Sequence, residues 1–136
     1  MAELYLNVAE CYAALEDNKN AIKYLNPIRK RAGVRELTES DVTSDMSMMD
    51  WVRNERFIEL WGEGHRFYDV RRWKIMEETD KCIYGLNISA TRPLFYQVIK
   101  TEDRPHDFKY YLWPIPQSEI YKNKRLVQNP GWQAID

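Results

Sequence analysis

Residues 54–73 interleave charged and bulky apolar side chains so densely that a simple solvated helix cannot account for them. Acidic and basic residues recur there at spacings of three and four, which place side chains on one helical face. Burying such charges against aromatic surface is costly unless each charge has a hydrogen-bonded partner. The segment therefore predicts a half-buried ion-pair lattice that joins two helical pieces at Gly62 and Gly64. The lattice residues are Arg56, Glu59, Glu63, Arg66 and Asp69, with Arg56 placed to reach Glu59 and Arg66 placed to reach Asp69.

Residues 45–74, which include this segment, are predicted to form a pair of helices. Ser44 and Ser47 are the two residues suited to cap the first helix, because a serine hydroxyl can accept from a free backbone N–H of the first turn. That helix is predicted to run to about Trp61, and the second helix spans residues 65–73. The apolar residues expected to be buried between the charges are Phe57, Leu60, Trp61, Phe67, Val70 and Trp73.

Residues 1–34 have the periodicity of a helical hairpin. A first helix is predicted from about Glu3 to Leu15, and a second helix ends near Gly33, which suits a left-handed C-cap. Small and large residues alternate as in a tetratricopeptide-like hairpin, where small residues let two helices approach. The apolar stripe predicted for the first helix is Leu4, Val8, Cys11, Tyr12 and Leu15. The hairpin positions are Ala9, Tyr12, Ala21, Leu25 and Ile28.

The helical period fades in residues 77–136. Residues 94–99 and 108–113 have the composition of strands, and the polar stretch 101–107 between them predicts a β-hairpin. The fold is thus predicted to be mainly α: a tetratricopeptide-like hairpin plus further helices, with an irregular region containing a short β-hairpin and an extended C-terminus. Smaller signals are extended backbone at Pro114 and Pro116, a helical turn at 118–122 and a turn at 129–131.

Bulk properties narrow the possible partners. The chain has 136 residues, enough for one modest domain with a core, and no apolar run reaches the length of a membrane span. Its formal net charge of -1 gives no electrostatic reason to expect nucleic acid as a partner. Whether Cys11 and Cys82 pair stays open, since pairing needs close backbones. We expect Cys11, on a helix, to be a small buried filler.

Catalytic and metal-binding arrangements are disfavoured. A glycosidase needs two carboxyl groups facing across a sugar bond, whereas Glu59 and Glu63 lie one turn apart on one helix and point the same way. Their spacing favours structural salt bridges, and a glycoside-acting enzyme is the weakest hypothesis. His65 and His106 lack the spacing of metal ligands, and His65 with Asp69 predicts a hydrogen-bonded pair. Without a glycine-rich phosphate loop or a nucleophile elbow, no cofactor and no catalytic residue is predicted.

Aromatic side chains are the remaining candidates for binding. Sugars are usually held by aromatic faces and by polar groups at the rim of a shallow site. Tyr84, Phe95 and Tyr96 lie in the irregular region and are the candidates here. Aromatic burial dominates protein cores, so the interpretation that these residues cover the helical core is favoured. The ligand-binding residues are therefore unknown from sequence.

Three motifs resemble those of the SusD/RagB family of outer-membrane nutrient-binding lipoproteins. The first is residues 25–34, a helix that ends in Arg-Ala-Gly. The second is residues 54–73, with Glu-Gly-His-Arg-Phe and Asp-x-Arg-Arg-Trp elements. The third is residues 112–120, followed by Asn123 and by residues 128–132. The motifs occur in the family's order and cover most of the chain.

The resemblance implies a binding protein and not an enzyme. Such proteins capture a glycan or another nutrient at the cell surface, without catalysis or cofactor, and hand it to a TonB-dependent SusC-like transporter. Residues 1–136 would form the C-terminal portion of such a domain: a hairpin at 1–34, a helix pair at 45–74 and a loop-rich region at 77–136. Its outer-membrane location relies on a signal peptide and a lipid-anchored cysteine, which this chain does not show, so we expect a fragment.

The alternative is a tetratricopeptide-like protein–protein interaction module that does not bind carbohydrate. In that hypothesis the hairpin presents a groove for a partner helix or peptide. One hairpin offers little groove, because helical repeats need about three or more copies to build a stable surface. Glycan binding therefore remains the favoured hypothesis.

Overall fold

The computed structural model describes residues 1–79, 82–104 and 106–133. As predicted, the fold in these ranges is mainly α, with a small antiparallel β-hairpin. The chain divides into two compact units, Met1–Phe67 and Tyr68–Asp136. The helices are α1 (Ala2–Ala14), α2 (Asn18–Arg31), α3 (Met48–Glu59), α4 (His65–Arg72), α5 (Met76–Thr79) and α6 (Gln117–Lys122), and the strands are β1 (Ile83–Leu86) and β2 (Val98–Glu102).

The first unit is built on the predicted hairpin. α1 and α2 pack against each other, and α3 packs on α1. Ala9 and Ala21 are wholly buried, and their small side chains let the two helices approach closely. The predicted hairpin positions are therefore confirmed, with Tyr12 half-buried. The core of this unit consists of Leu6, Ala9, Ala13, Ala21, Ile22, Leu25, Ile28, Leu37, Met48, Val52 and Leu60.

The face that α1 buries is not the predicted one. The inward residues are Leu6, Ala9 and Ala13, whereas most of the predicted stripe is exposed. The reason lies in the neighbouring helices: α2 and α3 pack on the alanine face, since only small residues allow such close contact. The exposed members of the predicted stripe are Leu4, Val8, Cys11 and Leu15. Cys11 is accordingly not a buried filler.

α2 ends as its sequence predicts. Gly33 has a φ of +72°, in the left-handed region that glycine enters without a Cβ penalty. Its N–H donates to the Lys30 carbonyl at 3.1 Å, and the N–H of Val34 donates to the Arg29 carbonyl at 3.0 Å. This pair of bonds is a Schellman motif, which satisfies carbonyls that the helix end would leave open.

α3 begins with a reciprocal cap. The Ser47 hydroxyl accepts from the Asp50 N–H at 3.2 Å, and the Asp50 carboxylate accepts from the Ser47 N–H at 3.1 Å. Ser47, and not Ser44, is therefore the N-cap. The helix pair breaks where predicted, because Gly62 and Gly64 have φ values of +82° and +78°. α4 resumes directly after them.

The β-hairpin of the second unit uses other strands than predicted. β2 pairs antiparallel with β1, in the register Leu86 to Val98 and Gly85 to Ile99. The predicted pairing of residues 94–99 with 108–113 is wrong, since Leu94–Tyr96 and Phe108–Tyr111 form 3₁₀ helices. The Asp107 carboxylate accepts from the Lys109 N–H at 3.0 Å, which makes the chain curl there instead of extending.

The C-terminal segment is held by side-chain amides. Gln128 accepts from the Ile115 N–H at 2.7 Å and donates to the Ile115 carbonyl at 2.9 Å, so it pairs like a short strand. Asn129 donates to the Trp113 carbonyl at 2.6 Å. α6 confirms the predicted helical turn, and Gly131, with φ +82°, confirms the predicted turn after it. The small core of this unit is Val70, Ile75 and Met76, with Trp73, Tyr110 and Tyr111 against it.

Candidate functional site

A buried ion pair joins α2 to α3. Arg29 donates from Nη1 to Glu55 Oε2 at 2.6 Å, and the two side chains are only 12% and 6% exposed. The Arg29 Nε donates to the Arg35 carbonyl at 2.8 Å, and its guanidinium lies 5.4 Å from the centre of the Trp51 ring. A charge buried this deeply needs such partners to offset its lost hydration. Neither member of this pair was predicted from sequence.

Arg56 and Glu59, two members of the predicted lattice, take partners on neighbouring helices. Glu59 pairs with Arg31 of α2 and not with Arg56 one turn away. Arg56, almost wholly buried, donates to Asn7 Oδ1 at 2.6 Å and lies 3.8 Å from the Glu10 carboxylate, both on α1. Arg56 loses its hydration on burial and needs partners on α1, whereas Arg31, whose side chain is 63% exposed, keeps much of its contact with water. Glu59 therefore forms a structural salt bridge with Arg31.

The second helix of the pair has its own charges. Asp69, buried at the side chain, accepts from Arg72 Nε at 2.9 Å, and the Arg72 guanidinium lies 4.6 Å from the centre of the Trp73 ring. His65 was expected to bond Asp69, but the carboxylate beside it is Glu63, at 3.9 Å from Nε2. The His65 ring therefore lies beside the loop that contains Gly62 and Gly64. The predicted pair of Arg66 with Asp69 stays a prediction.

The loop between α3 and α4 surrounds a cavity of about 410 Å³. Trp61, expected to be buried, is 81% exposed at this loop, and Phe57 is also exposed. Arg66 places its guanidinium 4.8 Å from the centre of the Phe57 ring. Leu60 and Val70 are buried as expected. The cavity is lined by Arg56, Phe57, Leu60, Trp61, Gly62, Gly64, Arg66 and Phe67.

The aromatic candidates of the sequence lie in and beside the β-hairpin. Tyr84 is 65% exposed and Tyr96 is 57% exposed, so they do not cover a core. Phe95 is half-buried and contacts Tyr96 edge-on, with ring centres 5.4 Å apart. The Arg92 guanidinium lies 5.6 Å from the centre of the Tyr96 ring. Tyr96 is therefore a second exposed aromatic surface, next to a cation.

The pKa of the Asp41 carboxyl group is lowered in the folded protein. Two hydrogen bonds from the Arg35 guanidinium, at 3.0 and 2.6 Å, hold the pKa of Asp41 well below its usual value. The Thr38 N–H, 2.8 Å from the Asp41 carboxylate, lowers this pKa further. The main-chain carbonyl of Asp41 also accepts from the Trp51 indole N–H at 3.0 Å. These hydrogen bonds stabilise the loop between α2 and α3 and are not part of a catalytic site.

A metal site would need several His, Cys, Asp or Glu side chains that converge on one point. Within residues 1–79, 82–104 and 106–133 no group of three or more His, Cys, Asp or Glu side chains could hold a metal ion. Cys11 and Cys82 are both free thiols, and the Cys82 Sγ lies 3.1 Å from an Asp103 carboxylate oxygen. Across the described part of the chain, no helix has the length and apolar content to cross a bilayer.

Comparison with known proteins gives a consistent result. The SusD family matches residues 1–132. SusD-like protein P25 and SusD-like protein P2, both from Formosa agariphila, are each 31% identical over 95% and 96% of this chain, which is 22% and 25% of their own length. The solved structure of selenomethionine BT4246 is 46% identical, with a TM-score of 0.89 over 96% of this chain and 24% of that one. A SusD-like protein from Bacteroides fragilis, BF3747, is 39% identical, with a TM-score of 0.83 over 96% of this chain and 25% of that one.

The chain thus spans about a quarter of the length of these relatives. Sequence and fold agree along nearly all of it, and the predicted resemblance is confirmed. The chain belongs to the SusD family.

Proposed function

We propose that this protein binds a glycan or another nutrient at the outer-membrane surface and delivers it to a TonB-dependent SusC-like transporter. The observation that carries the proposal is the SusD family match over residues 1–132. Ligand, transporter and location are all inferred from the family. The chain contributes a helical scaffold and exposed aromatic side chains.

The geometry favours binding over catalysis. A glycosidase acid must be free to give a proton to the leaving oxygen. Glu55 and Glu59 instead hold Arg29 and Arg31 of the neighbouring helix. Asp69 holds Arg72 in the same manner. These three carboxylates are thus committed to arginines, and none of them is placed as a free acid or base of a glycosidase.

The exposed aromatics support a carbohydrate ligand. Aromatic side chains offer flat apolar faces, and most proteins bury them in the core. Trp61 instead stands exposed on the loop between α3 and α4, and Tyr96 stands exposed at the end of a 3₁₀ helix, each near an arginine of its own unit. A sugar ring matches this pairing of an aromatic ring with an arginine, because it has an apolar face and hydroxyl groups at its edge. This complementarity is the second support for the proposal.

A glycan array tests the binding step. The purified protein is expected to bind one or a few related oligosaccharides and to leave them chemically intact during a long incubation. Binding of peptides alone would favour the interaction-module alternative, with the hairpin of α1 and α2 as its surface. Release of new reducing ends from a bound oligosaccharide would contradict the absence of catalysis.

Delivery requires a separate experiment. Affinity purification of the tagged protein from outer membranes of its own cells is expected to recover a TonB-dependent transporter. A mock purification from cells with the untagged protein is the control. Recovery of the protein from the outer-membrane fraction without any such transporter would contradict the proposed delivery step and leave glycan binding in place.

A further inference from the structure

We draw no further inference here: the strongest candidate, the exposed apolar face of α1 formed by Leu4, Val8, Cys11 and Leu15, carries none because nothing in the described part of the chain shows what covers it.

Discussion

Arg29 and Glu55 meet 2.6 Å apart between α2 and α3, although 26 residues separate them in the sequence. Both side chains are nearly buried, and Trp51 covers the guanidinium. Arg29 also holds the carbonyl of Arg35, so the pair fixes the start of the loop that leads to α3. This buried ion pair thus holds α2, α3 and the start of the loop between them.

Removing one member of this pair should destabilise the protein. Glu55→Ala leaves the Arg29 charge buried without its carboxylate, and we expect a loss of about 3 kcal/mol in the free energy of unfolding. Urea denaturation followed by circular dichroism measures it. Glu36→Ala is the control, because Glu36 is exposed in the same unit, and it should change stability by less than about 0.5 kcal/mol. Equal effects of the two variants would contradict the assigned role of Glu55.

The start of α3 offers a test of the cap. Ser47→Ala removes the hydroxyl that accepts from the Asp50 N–H, and we expect a loss of about 1 kcal/mol. Ser44→Ala, the other serine suited to the role, should cost less than about 0.5 kcal/mol, since the Ser44 hydroxyl donates to the exposed Asp45 at 3.4 Å and caps no helix. Thermal unfolding of the two variants gives the comparison. A larger effect at Ser44 would place the helix start elsewhere.

Asp41 predicts a dependence of stability on pH. Its pKa is lowered in the folded protein by the Arg35 hydrogen bonds, so its stabilisation is present above its ordinary value of 3.8 and is lost as the pH falls below that value. Asp41→Asn should therefore be less stable than the unaltered protein at neutral pH, and the difference should shrink in acid. Urea midpoints from neutral to acidic pH test this. Asp45→Asn is the control, and a gap that widens in acid would refute the mechanism.

Gly131 should tolerate a side chain less well than Gly33. Both have a positive φ, but a Cβ at Gly131 would lie 2.6 Å from the Lys109 Cβ, whereas a Cβ at Gly33 would meet nothing within 4 Å. We expect Gly33→Ala to cost about 1 kcal/mol from backbone strain alone, and Gly131→Ala to cost at least about 2 kcal/mol. Denaturation of the two variants decides the order, and equal costs would show that Lys109 can move aside.

The features that were predicted correctly from sequence depend on local signals. The capping serine, the left-handed glycines and the turn residues act on hydrogen bonds a few positions away, so their effects are visible in a short stretch of sequence. Ser47, Gly33, Gly62 and Gly64 all act where predicted or at one of two predicted positions. The family motifs likewise lie in contiguous segments.

Most of the misses concern partners that are distant in the sequence. α1 buries its alanine face because α2 and α3 lie there, and Arg56 finds Asn7 after 49 residues. Glu59 takes Arg31 in preference to Arg56 for the same reason. β2 pairs with a strand too short to stand out, and Trp61 is exposed because its loop turns it away from the core. Only tertiary packing decides such matters.

A double-mutant cycle on Arg29 and Glu55 tests the central claim most directly, namely that the buried charges of this scaffold hold helices together. The variants are Arg29→Met, Glu55→Leu and the two combined, with free energies of unfolding measured in urea. Our account predicts that the combined variant is more stable than the sum of the two single losses, by about 2 kcal/mol. Losses that add to within about 0.3 kcal/mol would show that the two side chains do not depend on each other, and would contradict it.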